Sequence, residues 1–237
     1  MNGAQNNGQK SVDPSAHAPN QVWSWDITYL PSIIKWLYYY LYLIMDIFSR
    51  KVVGWSVHSS ELSEHAACLI KQACIDEQVS EGQLILHSDN GSPMKGASML
   101  AMLYDLGVMS SYSRPSVSND NPFSESLFKT LKYHTTFPEV SLFASIEHAR
   151  AWSERFVVWY NCEHLHSGLK YITPEQRHTG QASTIMENRK QIYERAKKQH
   201  PARWSGNTRN WDLPTAVILN PSSQHQQLGL IERHATT

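Results

Sequence analysis

Three strand-like runs follow one another with no helix between them, Val22–Leu30, Leu37–Asp46 and Val52–Val57, each dense in aromatic and β-branched residues. Links as short as Phe48-Ser49-Arg50-Lys51 leave no room for a crossover, so the three runs must pair antiparallel. Beyond them the periodicity switches. Ala66, Ala67, Leu69, Ile70, Ala73 and Cys74 recur at helical spacing between Ser63 and Gln78, with Ser63 as N-cap and Gly82 soon after the end. A fourth strand over Leu84–His87, a helix over Ala97–Leu106 closed by Gly107, and a short strand over Val108–Tyr112 come next. Ser113–Asn121 reads as a loop leading to a helix that starts near Pro122. Amphipathic helices are predicted over Ile146–Cys162 and Ile185–Gln199. Strands followed by alternating helices and strands define an α/β fold on one mixed sheet.

The chain divides into three segments. Residues 1–20, rich in Asn, Gln, Gly, Ser and Pro, read as a disordered arm; residues 21–180 form the core; residues 181–237 are a basic helix and tail with Trp204 and Trp211. With 237 residues and 41% apolar content the core is large enough to be buried. No run of eighteen apolar residues occurs, and the polar start is neither signal peptide nor anchor, so a cytoplasmic chain without membrane contact is expected. Three cysteines, Cys68, Cys74 and Cys162, are too few and scattered for a disulfide framework. Cys162, His164 and His166 lack the fourth ligand of a structural zinc site.

Three acids stand in contexts where a metal ligand would be useful: Asp26 within an apolar strand, Asp89 at the end of Leu84-Ile85-Leu86-His87-Ser88-Asp89, and Glu125 at the start of a helix. An acid inside a strand as apolar as Val22–Leu30 is costly to desolvate unless it is paired or binds metal. The spacing fits a two-metal phosphoryl-transfer site, in which hard oxygen ligands suit Mg²⁺ or Mn²⁺. Two other acids read differently. Asp46 is expected in a turn or paired with Arg50, and Asp120 is expected to shape its loop together with Asn119 and Asn121.

These blocks, with Met45-Asp46-Ile47-Phe48-Ser49-Arg50-Lys51-Val52-Val53-Gly54-Trp55, Tyr160-Asn161 and His166-Ser167-Gly168-Leu169-Lys170-Tyr171-Ile172-Thr173-Pro174, resemble the catalytic core of insertion-sequence transposases and retroviral integrases, the DDE recombinases. The resemblance covers roughly residues 20 to 180. It implies a ribonuclease-H-like mixed five-stranded sheet of order 3-2-1-4-5 flanked by helices, which makes the first and fourth strands neighbours. It also implies that Asp26 bridges two Mg²⁺ or Mn²⁺ ions while Asp89 and Glu125 each complete one. The implied activity is DNA strand cleavage and strand transfer; a ribonuclease-H-like nuclease and a domesticated DNA-binding remnant are the alternatives. Expected partners are element-end and target DNA, further copies of the chain in a homo-oligomer, and a separate helix-turn-helix subunit. The last is expected because only about twenty residues precede Trp23, too few for the recognition helices usual in the family.

Formal net charge is zero, but its distribution is uneven. Residues 1–181 carry 13 Lys and Arg against 17 Asp and Glu, a net of −4, and residues 182–237 carry 8 against 4, a net of +4. Phosphate affinity is therefore expected in the tail, at Arg189, Lys190, Lys197 and Lys198, and in local patches. Lys129 and Lys132 share the helical face of Glu125, while Leu127 and Leu131 turn to the core. His87, Asn90 and Arg114 complete the candidate DNA contacts.

Overall fold

The computed structural model describes residues 14–89, 96–113, 121–134 and 142–219. A two-residue strand β1 (Ser15–Ala16) precedes the meander β2 (Val22–Pro31), β3 (Tyr38–Asp46) and β4 (Val52–His58). Helix α1 (Ser63–Asp76), β5 (Ile85–Ser88), α2 (Ala97–Asp105), β6 (Met109–Tyr112), α3 (Pro122–Lys132) and α4 (Ile146–Cys162) come after it. The five-stranded sheet runs β4-β3-β2-β5-β6, with β2 antiparallel to β3 and parallel to β5. This is the order 3-2-1-4-5 of the expected ribonuclease-H-like sheet, counting from β2.

Period-two alternation sorts the sheet into two buried faces. Leu41, Leu43 and Met45 of β3 pack with Phe123, Leu127 and Leu131 of α3 and with Trp152, Phe156 and Tyr160 of α4. Their neighbours Tyr42 and Ile44 pack on the other face with Ala66, Ile70 and Ala73 of α1 and Met99 and Leu103 of α2. In β2, Trp23 and Trp25 fill the α1 face, which assigns the alternate positions Val22, Ser24, Asp26, Thr28 and Leu30 to the α3 face. Gly54 lets α1 lie close to β4: a β-carbon there would meet Ala73 Cβ and Ile44 Cδ1 at 3.2 Å. Asn161 secures α4 to the outermost strand, its Oδ1 accepting from Val52 N–H and its Nδ2 donating to Val52 C=O, both at 2.9 Å.

The ends of the chain depart from the reading of the sequence. Residues 14–20 of the arm expected to be disordered are structured: Ser15 and Ala16 pair antiparallel with Ile218 and Val217 of β7 (Val217–Ile218), and Ala16 is wholly buried. So short a pairing has no periodicity to betray it. Asn20 N–H then donates to the Asp46 carboxylate at 2.8 Å. Of the two expected alternatives Asp46 takes the turn, its carboxylate accepting from Ser49 N–H at 2.7 Å and its carbonyl from Arg50 N–H at 2.8 Å, while the Arg50 guanidinium lies 3.9 Å from the Phe123 ring. Leu62, not Ser63, occupies the N-cap of α1.

After α4, a short helix α5 (Pro174–His178) opens with a capping box between Thr173 and Gln176, and α6 spans Ala182–Gln199. These elements are joined to the core and to the tail. His178 Nε2 bonds Glu77 at 2.8 Å, its Nδ1 lies 2.9 Å from Ser49 Oγ, and Lys51 bridges Glu77 and Glu175 at 3.1 and 3.3 Å. Trp211 folds back against Met186, Ala182, Ile172 and Leu169 in a separate apolar cluster. Among the described residues no helix is long and apolar enough to cross a membrane.

Candidate active site

Three elements bring the expected acids to the place where the parallel pairing of β2 with β5 ends. The parallel pairing of β2 with β5 matches Ser24 to His87, so two further steps along both strands align Asp26 with Asp89, just past the end of β5. Glu125 lies in the first turn of α3, the helix packed on the face of β2 to which Asp26 belongs. Asp26 is half-buried, whereas Asp89 and Glu125 are exposed. An open site at the carboxyl ends of the central parallel strands is where such sheets bind ligands.

Burial is the chief reason that the Asp26 carboxyl is pushed up to about 7; Ile27 N–H, donating to Oδ1 at 2.8 Å, opposes the rise, and the negative charges of Asp89 and Glu125 add to it. The Glu125 carboxyl is also raised by burial. Mutual repulsion of three carboxylates is the electrostatic condition that a divalent cation relieves. Hard oxygen donors are the right chemistry for Mg²⁺ or Mn²⁺. Among the described residues, no three acid, imidazole or thiolate side chains stand close enough together to hold a metal ion. Asp26, Asp89 and Glu125 fit such ions in donor chemistry and in charge.

The remaining expected residues divide. Lys129 and Lys132 are exposed in the last turn of α3, on the helical face of Glu125. His87 does not face solvent: it is 1% exposed, with Nδ1 3.1 Å from Ser111 Oγ and Nε2 3.4 Å from Ser113 Oγ, so it braces β5 against the strand end at β6 and is not available to a phosphate backbone. Asn90 and Arg114 lie outside the described residues. Arg189 is turned inward, donating to the carbonyls of Lys170 at 2.6 Å and Tyr171 at 2.8 Å, two residues held in left-handed backbone. Lys190 and Lys198 are exposed on α6, and Lys197 is half-buried.

Sequence reasoning missed a buried polar group beside the acids. Ser24 donates to Asn121 Oδ1 at 2.5 Å and lies 2.7 Å from Ser124 Oγ, and all three residues are buried. The available signal was Ser24 itself, which with Asp26 and Thr28 makes a run of polar residues at even spacing between Val22 and Leu30 on one strand face.

Comparison with known proteins agrees with the fold. An integrase core domain model matches residues 16–118 and a second of the same description matches residues 106–174. The transposase for insertion sequence element IS904 of Lactococcus lactis is 36% identical over 160 residues, covering 68% of this chain and 62% of the relative. The InsF transposase for IS3A of Escherichia coli is 33% identical over 162 residues, covering 68% and 54%. The chain thus spans a little over half the length of these relatives. Among solved structures, the simian T-cell lymphotropic virus intasome in complex with the PP2A regulatory subunit B56 gamma superposes with a TM-score of 0.57 at 18% identity, covering 69% of this chain and 55% of that one. The HTLV-2 integrase catalytic core domain in complex with magnesium gives 0.51 at 19% identity, covering 68% and 97%. At that identity the likeness concerns the fold, and the fold is the ribonuclease-H-like one. Matched end to end from residue 16 to residue 174 by two integrase core models, the chain belongs to the DDE transposase and integrase family.

Proposed function

We propose that the chain is the catalytic part of an insertion-sequence transposase, cutting element ends and joining them to target DNA with divalent metal ions held by Asp26, Asp89 and Glu125. The observation that carries this reading is the β2–β5 register, which aligns Asp26 with Asp89 beneath the helix that bears Glu125. The raised Asp26 carboxyl supports it. As the resemblance implies, Asp26 would hold both ions, with Asp89 on one and Glu125 on the other. When bound, Mg²⁺ or Mn²⁺ activates the attacking oxygen and stabilises the leaving one.

The protein's own residues orient the duplex. Lys129 and Lys132, on the face of Glu125, contact backbone phosphate and hold the scissile bond against the acids. Water then displaces the 3′ oxygen to leave a free 3′ hydroxyl, and that hydroxyl attacks a target phosphodiester, releasing the target's own 3′ oxygen. Residues 21–180 are the catalytic unit, and residues 181–237 are a basic helix and tail that add contacts to backbone phosphate. Assembly of several copies on DNA, and end recognition by a helix-turn-helix partner or fused region, complete the proposed system.

The test is substitution of each acid by its amide. Asp26→Asn, Asp89→Asn and Glu125→Gln should each lower Mn²⁺-dependent nicking and strand transfer below about one-tenth of wild type, because removing one ligand disrupts the two-ion clamp. Circular dichroism checks that the fold is retained. Activity above that level in a folded variant removes that residue from the site, and nicking without strand transfer by the wild type favours the nuclease alternative.

A further inference from the structure

Two of the three acids sit on different elements, β2 and α3, and something must fix the distance between them. Asn121 touches both sides. At the N-cap of α3 an Asn normally caps its own helix, yet here no side-chain cap bond is made. Instead Oδ1 accepts from Ser24, two residues before Asp26, and Nδ2 lies 3.5 Å from the carbonyl of Trp25, one residue before it. The Asn121 carbonyl meanwhile accepts from Glu125 N–H at 3.2 Å. Ser124, next to Glu125, completes the contact with Ser24.

Small polar groups are poor core material. Ser24 is 0% exposed, Ser124 3% and Asn121 5%, on a face shared with the apolar Val22, Leu30, Phe123 and Leu127. Apolar side chains there would pack without desolvating three polar groups, and buried polar groups gain directionality at the expense of net stability. We propose that Asn121, through Ser24 and Ser124, is a positioning residue that sets the separation of Asp26 and Glu125 and so tunes the affinity of the acid site for divalent cations. This rests on the proposed function only in taking those acids as metal ligands; outer groups that orient ligands typically matter about tenfold to a hundredfold in metal affinity.

The experiment measures Mn²⁺ binding to the full chain by electron paramagnetic resonance, alongside Mn²⁺-dependent nicking, in wild type, Asn121→Ala, Ser24→Ala and Ser124→Ala, with Asp26→Asn as reference. Asn121→Ala should raise the Mn²⁺ half-saturation for binding at least about tenfold, while nicking at saturating Mn²⁺ returns to near the wild-type rate. The two serine variants should shift in the same direction by less. Unchanged Mn²⁺ affinity in Asn121→Ala, with only a lowered unfolding midpoint, overturns the proposal. If Asn121→Ala does not fold, the serine variants decide by the same criterion. Wild type that binds Mn²⁺ through Asp26 but cuts no DNA sinks the transposase reading and leaves the positioning role to be judged by binding alone. Wild type that binds no Mn²⁺ overturns the positioning role.

Discussion

Asn161 illustrates how much one side chain can hold. Its amide satisfies both backbone groups of Val52 from a helix 109 residues further along the chain, replacing a strand neighbour that β4, as the sheet edge, does not have. Asn161→Ala leaves a buried donor and a buried acceptor behind, and should cost about 2–6 kcal/mol, since each unsatisfied group is worth about 1–3 kcal/mol. Urea unfolding measures it, and a change within experimental error would show that water replaces the amide freely. The sequence displays Tyr160-Asn161 among the blocks that resemble the DDE recombinases, but not this role, because the partner is backbone and carries no side-chain signature. Asp26, Asp89 and Glu125 were legible for the opposite reason: an acid in an apolar strand, at a strand end or in a first helical turn contradicts its local surroundings.

At the scale of elements, the helices and strands of the core follow their periodicity closely, and α4 begins where its pattern does because Ser145 caps it, accepting from His148 N–H at 3.2 Å. Helix α5 leaves no periodic signal in the sequence, although Thr173-Pro174-Glu175-Gln176 spells its capping box; five residues are too few to establish a period. Yet α5 clamps the core to the segment that holds α6. Burial alone would lower the His178 imidazole, but its hydrogen bond to Glu77 and the nearby Asp46 carboxylate reverse this and carry it up to about 9. Burial likewise opposes ionisation of Glu77, but His178 and Lys51 draw its carboxyl down to about 2. A raised folded-state imidazole value means that the clamp's contribution is complete below the unfolded value of about 6.5 and fades as pH rises through about 9. Unfolding midpoints should therefore fall between pH 6.5 and 9 by up to about 3 kcal/mol equivalent. His178→Gln should abolish that fall, and a wild-type profile as flat as the variant's would show that the clamp is not ionic.

For the whole molecule, charge and packing in residues 182–219 must be separated. Removing this segment would expose Leu169 and Ile172, which pack against Met186 and Trp211, so a truncation confounds loss of charge with loss of fold. Neutralising the exposed cations of α6 avoids this. The triple change Lys190→Gln, Arg195→Gln and Lys198→Gln should weaken duplex binding and flatten the slope of log affinity against log salt by up to about 0.9 for each phosphate no longer neutralised. An unchanged slope, measured by fluorescence anisotropy from low to physiological salt, would assign α6 to support of the core. The overall division of charge was legible in the sequence, but the inward turn of Arg189 was not, because the carbonyls it meets are set by left-handed backbone at Lys170 and Tyr171.

The pairing of β1 with β7 has a kinetic corollary. It closes a loop of roughly two hundred residues, and although each doubling of a loop adds only about 0.6 kcal/mol of closure entropy, a two-residue ladder offers little enthalpy with which to close it early. Ser15–Ala16 and Val217–Ile218 should therefore meet only after the sheet has drawn them together, on the native side of the rate-limiting barrier. A clasp made that late acts as a latch against unfolding: opening it hastens escape from the native state and leaves the speed of folding untouched.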